Sequence, residues 1–374
     1  MNTKKLDQII DIIKDWKHED YAYISLFYRY ISDKIVDYVN ENERKSDPNF
    51  DYRKISDEKA ELWKESLINE IWYFIKPSNI FDKAIKRMKK IDNIYFDLYH
   101  ALDAIEINKE LVAYKIIFDN FLLFTPQEQL KKTKMYEMIK IISELDLDIK
   151  KDDYIKAFEY LFNKLEPIFY DKKINWLIAK IASHWKKKVK FVDDPNCYDW
   201  VLFVELVKVM WRKNIIWWFN YTHKEFINFK SHLIYINLLM HWVDCIKAHT
   251  SFDKADIIMT VLEEDIKWWI IDYIEDKLSN DWKAVVLVTK ELLKDEDFLS
   301  KLSKHISSTK LECIIELDVD NKKMYLIAFD FNNKWTSPLF IKWWKDIDKA
   351  FDLYKERKNA TKITKTEDIL KEIW

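Results

Sequence analysis

The sequence predicts an α/β protein with an N-terminal all-α domain and a second domain built around a largely parallel sheet. Residues 1 to about 145 contain helical periodicities and few strand signals, whereas helix-like segments alternate with short β-branched or apolar runs after Asp152. Such alternation is typical of a parallel sheet flanked by helices. With 374 residues, 49% of them hydrophobic, the chain can bury a sizeable core. We therefore expect two domains, at residues 1–148 and 149–374.

In the N-terminal part, the spacing of apolar residues predicts helices over residues 21–31 and 135–142. In the C-terminal part, five runs rich in Val, Ile and Leu are predicted to be strands of one sheet, at residues 189–192, 256–259, 284–288, 313–317 and 324–329. The first four runs are apolar enough to be buried on both faces, and the last strands are expected to run antiparallel. Ile215-Ile216 is a further strand-like run.

Charge and cysteine usage exclude several classes of protein. The 62 Lys and Arg residues against 64 Asp and Glu residues give a net charge of −2, so the chain alone has no basic field for tight nucleic-acid binding. Three scattered cysteines and no paired His or Cys spacing predict neither a disulfide framework nor a metal site, and we expect a cytoplasmic protein. The charged N-terminal segment and the lack of a long apolar run predict no signal peptide and no membrane contact.

The chain has no glycine and 17 tryptophans. Ordinary usage is about 7% glycine, which is roughly 26 residues here. Because glycine supplies positive φ angles at turns and helix ends, other residues must occupy such places. We infer that Trp stands for Gly at most of these 17 positions. The alternative is that Trp63 and others are ordinary aromatic core residues. We therefore expect Trp200, Trp242 and Trp282 at turns or helix ends, with unusually exposed indoles.

In a doubly wound sheet, the turn after the first strand is the expected ligand site. Here that turn contains Asp194-Pro195-Asn196-Cys197, followed by Trp200 and a helical run. The segment resembles the Asp-Pro-x-Cys cofactor loop of class I S-adenosylmethionine-dependent methyltransferases, in the form seen in N6-adenine DNA methyltransferases. The resemblance implies that Asp194, Pro195 and Cys197 bind S-adenosylmethionine. Trp200 stands where that loop carries Gly, and its indole would obstruct the cofactor.

Further segments resemble the modification subunit of type I restriction-modification systems over nearly the whole chain. Residues 27–33 are similar to the family's Tyr-(Ile/Leu)-Ser-Asp helix, and residues 71–77 resemble its Gly-Tyr-Phe-Ile-x-Pro segment, with Trp72 at the glycine. Residues 235–243 and 278–288 resemble two later family segments. The resemblance implies a Rossmann-like methyltransferase domain that transfers methyl from S-adenosylmethionine to adenine N6 of DNA. It also implies specificity and restriction subunits as partners.

The family spacing implies two more cofactor positions. Glu225, twelve residues before Asn237, is the acid expected to bind the ribose of the cofactor, because a carboxylate accepts both hydroxyls. In an alternative alignment Asn220 takes this place. Thr250 stands where the family has an Asp that contacts the adenine of the cofactor.

The catalytic motif departs from the family. Adenine methyltransferases carry an (Asp/Asn)-Pro-Pro-(Tyr/Phe) tetrapeptide after a strand, and it binds the flipped base. Here the strand-like run 255–259 continues into Thr260, Val261, Leu262 and Glu263, which include no Pro, Asn or aromatic residue. We expect a subunit impaired in adenine methylation. The alternatives are a working enzyme with a divergent site, a methyltransferase with another substrate, and a non-catalytic scaffold subunit derived from the family.

Overall fold

A computed structural model describes residues 3–16, 20–88, 94–109, 111, 114, 129–165, 172–186, 189, 192–195, 201–210, 219–220, 236–241, 254–262, 269–308, 310–319, 322–332, 337–342 and 347–373. The chain divides into two compact units. The first unit comprises Met1–Pro167 and Glu225–Asp244, and the second comprises Ile168–Lys224 and Cys245–Trp374.

The first unit is mainly helical, as the sequence predicts. Its described helices are α1 (Thr3–Trp16), α2 (Asp20–Glu43), α3 (Asp57–Ala60), α4 (Lys64–Glu70), α5 (Phe81–Arg87), α6 (Ile94–Asp103), α7 (Gln129–Ser143) and α8 (Asp153–Leu165). The predicted helices over residues 21–31 and 135–142 are confirmed as parts of α2 and α7. Two short strands that the sequence did not predict, β1 (Tyr73–Phe74) and β2 (Glu106–Ile107), pair antiparallel.

Two contacts explain where the first unit ends along the chain. The Tyr23 ring of α2 packs on Phe158 of α8 with ring centroids 4.9 Å apart, so α8 belongs to the first unit and the boundary follows Pro167 rather than residue 148. The Tyr30 hydroxyl of α2 donates a hydrogen bond to the backbone oxygen of Met240 at 3.4 Å. Residues 236–241 are therefore part of this unit, although they lie far along the chain in the predicted second domain.

The residues of the Tyr-Ile-Ser-Asp segment have structural roles inside the first unit. The Ser32 hydroxyl oxygen accepts a hydrogen bond from the backbone amide of Phe81 at 3.1 Å, which satisfies an amide at the start of α5. The Asp33 carboxylate accepts hydrogen bonds from Arg53 at 2.8 Å and from the Tyr154 hydroxyl. Through these hydrogen bonds the segment links α2 to α5 and α8.

The second unit contains one sheet and the helices around it. Its described strands are β3 (Val192–Asp193), β4 (Phe219–Asn220), β5 (Ala255–Val261), β6 (Leu278–Thr289), β7 (Leu311–Val319), β8 (Lys322–Asp330), β9 (Leu339–Ile341) and β10 (Ala360–Lys362). Its described helices are α9 (Lys172–Ala182), α10 (Val201–Met210), α11 (Trp269–Lys277), α12 (Glu296–Ser307), α13 (Ile347–Glu356) and α14 (Thr366–Ile373).

The strand order is β10-β9-β7-β8-β6-β5-β3-β4. Strands β4, β3, β5 and β6 are parallel, and β8 lies antiparallel between β6 and β7. Strand β9 is parallel to β7, and β10 is antiparallel to β9. All five predicted strand runs therefore contribute to one sheet, with antiparallel strands toward the end of the chain, as expected. Of the first predicted run, Val189 is a bridge residue and Val192 begins β3, while residues 190–191 lie outside the described residues, as does the strand-like run 215–216.

The central strands are buried on both faces, as predicted. Alternate residues such as Ile258 and Val286 join a core cluster with apolar residues of α11, α12 and α14. The residues between them, such as Ile257 and Val285, are also fully buried. Because side chains of a strand alternate between the two faces, both faces are covered.

Among the tryptophans that the structure describes, two have a left-handed backbone. Trp72, directly before β1, has a φ angle of 74°, and Trp185, shortly after α9, has a φ angle of 69°. An L-residue in this conformation is strained, whereas glycine adopts it freely. The Trp185 indole is also 80% exposed, which is unusual for a large apolar side chain. Both positions have the geometry of glycine, which supports the inferred replacement.

The other tryptophans named in that hypothesis behave differently or are outside the described residues. Trp282 lies inside β6 and not at a turn, so that expectation is wrong. Its segment nevertheless departs from regular pairing, because Ala255 pairs with Leu278 whereas Ile257 pairs with Lys283. Trp200 and Trp242 lie outside the described residues.

We expect Trp185→Gly to raise the free energy of unfolding by about 1 kcal/mol, because it removes the left-handed strain. Trp185→Ala removes the indole but keeps a Cβ atom, so it should gain less. Trp176→Gly is the control, since residue 176 lies inside α9, where glycine costs about 1 kcal/mol. Chemical denaturation followed by circular dichroism measures all three. A Trp185→Gly variant no more stable than Trp185→Ala would contradict the glycine assignment.

Candidate functional site

The ends of β3 and β5 lie side by side in the sheet. The two strands are parallel neighbours, and Asp193 at the end of β3 pairs with Ile258 of β5. On its other side Asp193 pairs with Asn220 of β4. Asp194, which follows β3, and the last residues of β5 therefore lie at the same edge of the sheet. In open parallel sheets this is the edge where ligands bind.

Two of the predicted cofactor residues, Asp194 and Pro195, are described, and both are buried at this edge. Asp194 is 7% exposed and directly follows β3. Pro195 is buried next to it. Both residues directly follow β3, at the start of the segment for which the sequence predicts a cofactor loop.

Asp193 carries a deeply buried carboxyl group. It is 1% exposed, and its Oδ2 atom accepts a hydrogen bond from the Tyr273 hydroxyl of α11 at 2.5 Å. Its Oδ1 atom is buried without a hydrogen bond. Burial raises the pKa of Asp193 to about 6, although Tyr273, the Lys277 ammonium and the Asp194 backbone amide favour the charged form. Burial and the Asp193 carboxylate in turn raise the pKa of Tyr273.

The structure describes three residues of the degenerate motif position, Thr260, Val261 and Leu262. Thr260 is fully buried within β5, and its hydroxyl oxygen has no hydrogen bond. Val261 still pairs with β6, and the Leu262 amide donates a hydrogen bond to the Leu287 backbone oxygen at 2.9 Å. Leu262 is also fully buried. The strand therefore extends further than the sequence predicts, and Thr260 and Leu262 of the degenerate motif position are buried.

Several predicted site residues cannot be placed in this site. Cys197, Trp200, Glu225, Thr250 and Glu263 lie outside the described residues. Asn220, the alternative to Glu225, lies in β4 beside Asp193, at the same sheet edge.

Tyr273 is a site residue that sequence reasoning missed. It lies 80 residues after Asp193, and no local spacing connects the two. The sequence does place an acid, Asp193, at the end of a predicted buried strand. Because a buried carboxyl requires a hydrogen-bond donor, this position indicates that a donor from elsewhere in the chain lies beside it.

Two further properties concern the described residues only. None of the described helices is both long and apolar enough to cross a membrane. The described His, Cys, Asp and Glu side chains form no group of three or more that could hold a metal ion.

Sequence comparison finds one informative relative. No protein-family model matches the chain. The Type I restriction enzyme MpnII methylase subunit of Mycoplasma pneumoniae is 26% identical over 307 residues, which are 75% of this chain and 55% of the relative. The chain thus spans about half the length of this curated relative.

Two solved structures share the fold over almost the whole chain. The type I restriction-modification system methyltransferase subunit of Streptococcus thermophilus gives a TM-score of 0.75 at 15% identity, covering 99% of this chain and 96% of that one. A modification subunit of a putative type I restriction enzyme from Vibrio vulnificus YJ016 gives a TM-score of 0.63 at 12% identity, covering 97% and 92%. At these identities the comparison establishes the fold.

The helical first unit and the mixed sheet of the second unit define an α/β protein with the fold of these two solved subunits. Within that class, the chain resembles the modification subunit of type I restriction-modification systems, in sequence and in fold.

Proposed function

We propose that this chain is a modification-type subunit of a type I restriction-modification system that binds S-adenosylmethionine but is impaired in adenine methylation. The observation that carries the proposal is the end of β5. Thr260 and Leu262 are fully buried there, and residues 260–265 include no Asn, Pro or aromatic residue. The strand end thus lacks the groups that a flipped adenine requires.

The end of β3 fits the proposed cofactor. S-adenosylmethionine carries a sulfonium and an ammonium group, and buried carboxyl groups complement such cations. Asp194 provides a buried acid there, directly after β3. Asp194 and Pro195 would hold the cofactor. When bound, the cofactor would supply a methyl group attached to positively charged sulfur, ready for transfer to a nucleophile.

The chemistry of base flipping supports the impairment. An extruded adenine needs acceptors for its amino group and an aromatic platform, and these contacts must offset an unstacking cost of about a few kcal/mol. The two buried, strand-bound residues Thr260 and Leu262 supply neither. Three consecutive acids, at residues 263–265, add negative charge that would repel the DNA backbone.

The resemblance also suggests partners. With a net charge of −2 the chain has no overall basic field, so we propose that DNA binding requires assembly with a specificity subunit. A restriction subunit is the other partner suggested by the resemblance. We place this assembly in the cytoplasm.

We expect the purified full-length chain to bind S-adenosylmethionine in calorimetry and to transfer no labelled methyl to duplex DNA, with a no-protein reaction as baseline. Asp194→Ala should weaken binding at least about tenfold, because contacts to charged groups contribute roughly 1.5–3 kcal/mol. Asp352→Ala is the matched control, since Asp352 is an exposed acid on α13. It should bind like the unaltered chain.

Each contrary outcome tests a different part of the proposal. Methyl transfer above the baseline would contradict the impairment and favour a working enzyme. Lack of cofactor binding would contradict the cofactor site and favour the non-catalytic scaffold subunit.

A further inference from the structure

Asp193 occupies a position where folding alone would favour an aliphatic side chain. It is 1% exposed, next to the buried Val192, and its neighbour across the sheet is the fully buried Ile258. Removing a carboxyl group from water is costly, and one of its oxygens has no hydrogen bond to offset that cost. A residue that weakens the fold at the start of a ligand loop is expected to serve binding.

The partner of Asp193 connects two parts of the site. Tyr273 lies on α11, the next described element after the end of β5. Its ring packs edge-on against Trp269 with centroids 5.4 Å apart and contacts the core cluster of the second unit. The hydroxyl that it donates to Asp193 is therefore held by a packed ring, and the hydrogen bond joins the end of β3 to α11.

The hydrogen bond lies at the carboxyl end of β3, next to Asp194. β3 ends at Asp193, and Asp194 follows it directly. Fixing the Asp193 side chain limits movement of the backbone that carries Asp194.

We propose that the Asp193 carboxyl and the Tyr273 hydroxyl form a positioning pair that orients Asp194 for binding of S-adenosylmethionine. The inference rests on the proposed function and extends it by two residues, neither of which needs to touch the cofactor. The pair also links the carboxyl end of β3 to α11, the next described element after the degenerate motif position.

Three full-length variants separate positioning from folding. Tyr273→Phe deletes the hydroxyl and keeps the ring. Asp193→Asn keeps an acceptor for the hydroxyl, whereas Asp193→Leu removes the acceptor and places an aliphatic group in the buried position. Tyr160→Phe is the matched control, because the Tyr160 hydroxyl donates a hydrogen bond to Asp7 at 2.6 Å in the first unit.

Calorimetry with S-adenosylmethionine should show about tenfold weaker binding for Tyr273→Phe and Asp193→Leu, the fold-change of one lost hydrogen bond. Asp193→Asn should stay within about threefold of the unaltered chain, and Tyr160→Phe should match it. In thermal unfolding, Asp193→Leu should have a higher midpoint than the unaltered chain, since the buried carboxyl is gone. If the Asp193–Tyr273 pair has only a structural role, the affinity for S-adenosylmethionine should instead change in parallel with the unfolding midpoint of each variant.

The outcomes distinguish this inference from the proposed function. If the unaltered chain does not bind the cofactor, the proposed function fails and the positioning role fails with it. If the unaltered chain binds and Tyr273→Phe binds equally well, only the positioning role is overturned. Equal losses of affinity in Asp193→Asn and Asp193→Leu would also overturn it, because the negative charge and not the hydrogen bond would then matter.

Discussion

Replacing Lys283 by methionine is expected to lower the free energy of unfolding by about 3 kcal/mol, because it leaves a buried carboxylate without its main partner. Lys283 is 1% exposed on β6. Its ammonium donates to Glu312 at 2.9 Å and to the Tyr354 hydroxyl at 2.7 Å, and it lies 3.5 Å from Asp330. Glu312 is buried as well, at 4% exposure.

The remaining partners of Glu312 limit the loss. Tyr354 donates its hydroxyl to Glu312 at 3.0 Å, and the Arg357 guanidinium donates at 3.2 Å. Lys283→Met with Glu312→Leu should therefore recover part of the stability lost in Lys283→Met, since a buried ion pair can be replaced by apolar groups at little cost.

Lys323→Met is the matched control for the buried lysine. Lys323 forms an ion pair with Glu316 at 2.6 Å, but its side chain is 54% exposed. We expect a change below about 1 kcal/mol. Denaturant unfolding of the full-length chain measures these variants, and similar losses for Lys283→Met and Lys323→Met would contradict the importance of burial.

The central sheet could be predicted from the sequence because burial on both faces leaves a clear pattern. The run 284–288 is apolar throughout, and the run 313–317 is apolar except for Glu316, which is typical of strands covered by helices. Strands β1, β2, β9 and β10 were not predicted, because two or three residues are too few to show a period. The boundary of the first unit depends on contacts of α8 and residues 236–241, which only the folded chain reveals.

The candidate site was predictable only in part. Asp194-Pro195 was found by resemblance to a known loop, and the structure describes both residues at the end of β3. The Asp193–Tyr273 hydrogen bond could not be predicted, because it joins residues far apart in sequence. The sequence predicts that β5 ends at residue 259, whereas the strand continues to Val261. A buried Thr at position 260 fits both a strand and a loop pattern, so the sequence does not distinguish them.

The segments that carry the resemblance need not be catalytic. Trp72 occupies a glycine position of the family, and its φ angle of 74° gives the physical reason for glycine there. Ser32 satisfies a backbone amide of α5, and Asp33 holds side chains from other elements. These segments therefore have structural roles in the first unit, whereas the proposed site is at the ends of β3 and β5.

Asp33→Ala is expected to lower the free energy of unfolding by about 2 kcal/mol, because it leaves buried donors without an acceptor. Asp33 accepts from the Tyr154 hydroxyl and from Arg53 at 2.8 Å, and the Arg29 Nε atom lies 3.8 Å away. Tyr154 is 1% exposed, so its hydroxyl has little access to water after the change.

The conservative variant Asp33→Asn should lose less than about 1 kcal/mol. Burial raises the pKa of Asp33 despite the hydrogen bond from Tyr154 and the charges of Arg29 and Arg53. An amide oxygen still accepts the hydrogen bond of Tyr154. Asp11→Ala, at an exposed acid of α1, is the control and should change stability by less than about 0.5 kcal/mol. Equal losses in Asp33→Asn and Asp33→Ala, measured by denaturant unfolding, would show that the charge of Asp33 stabilises the first unit.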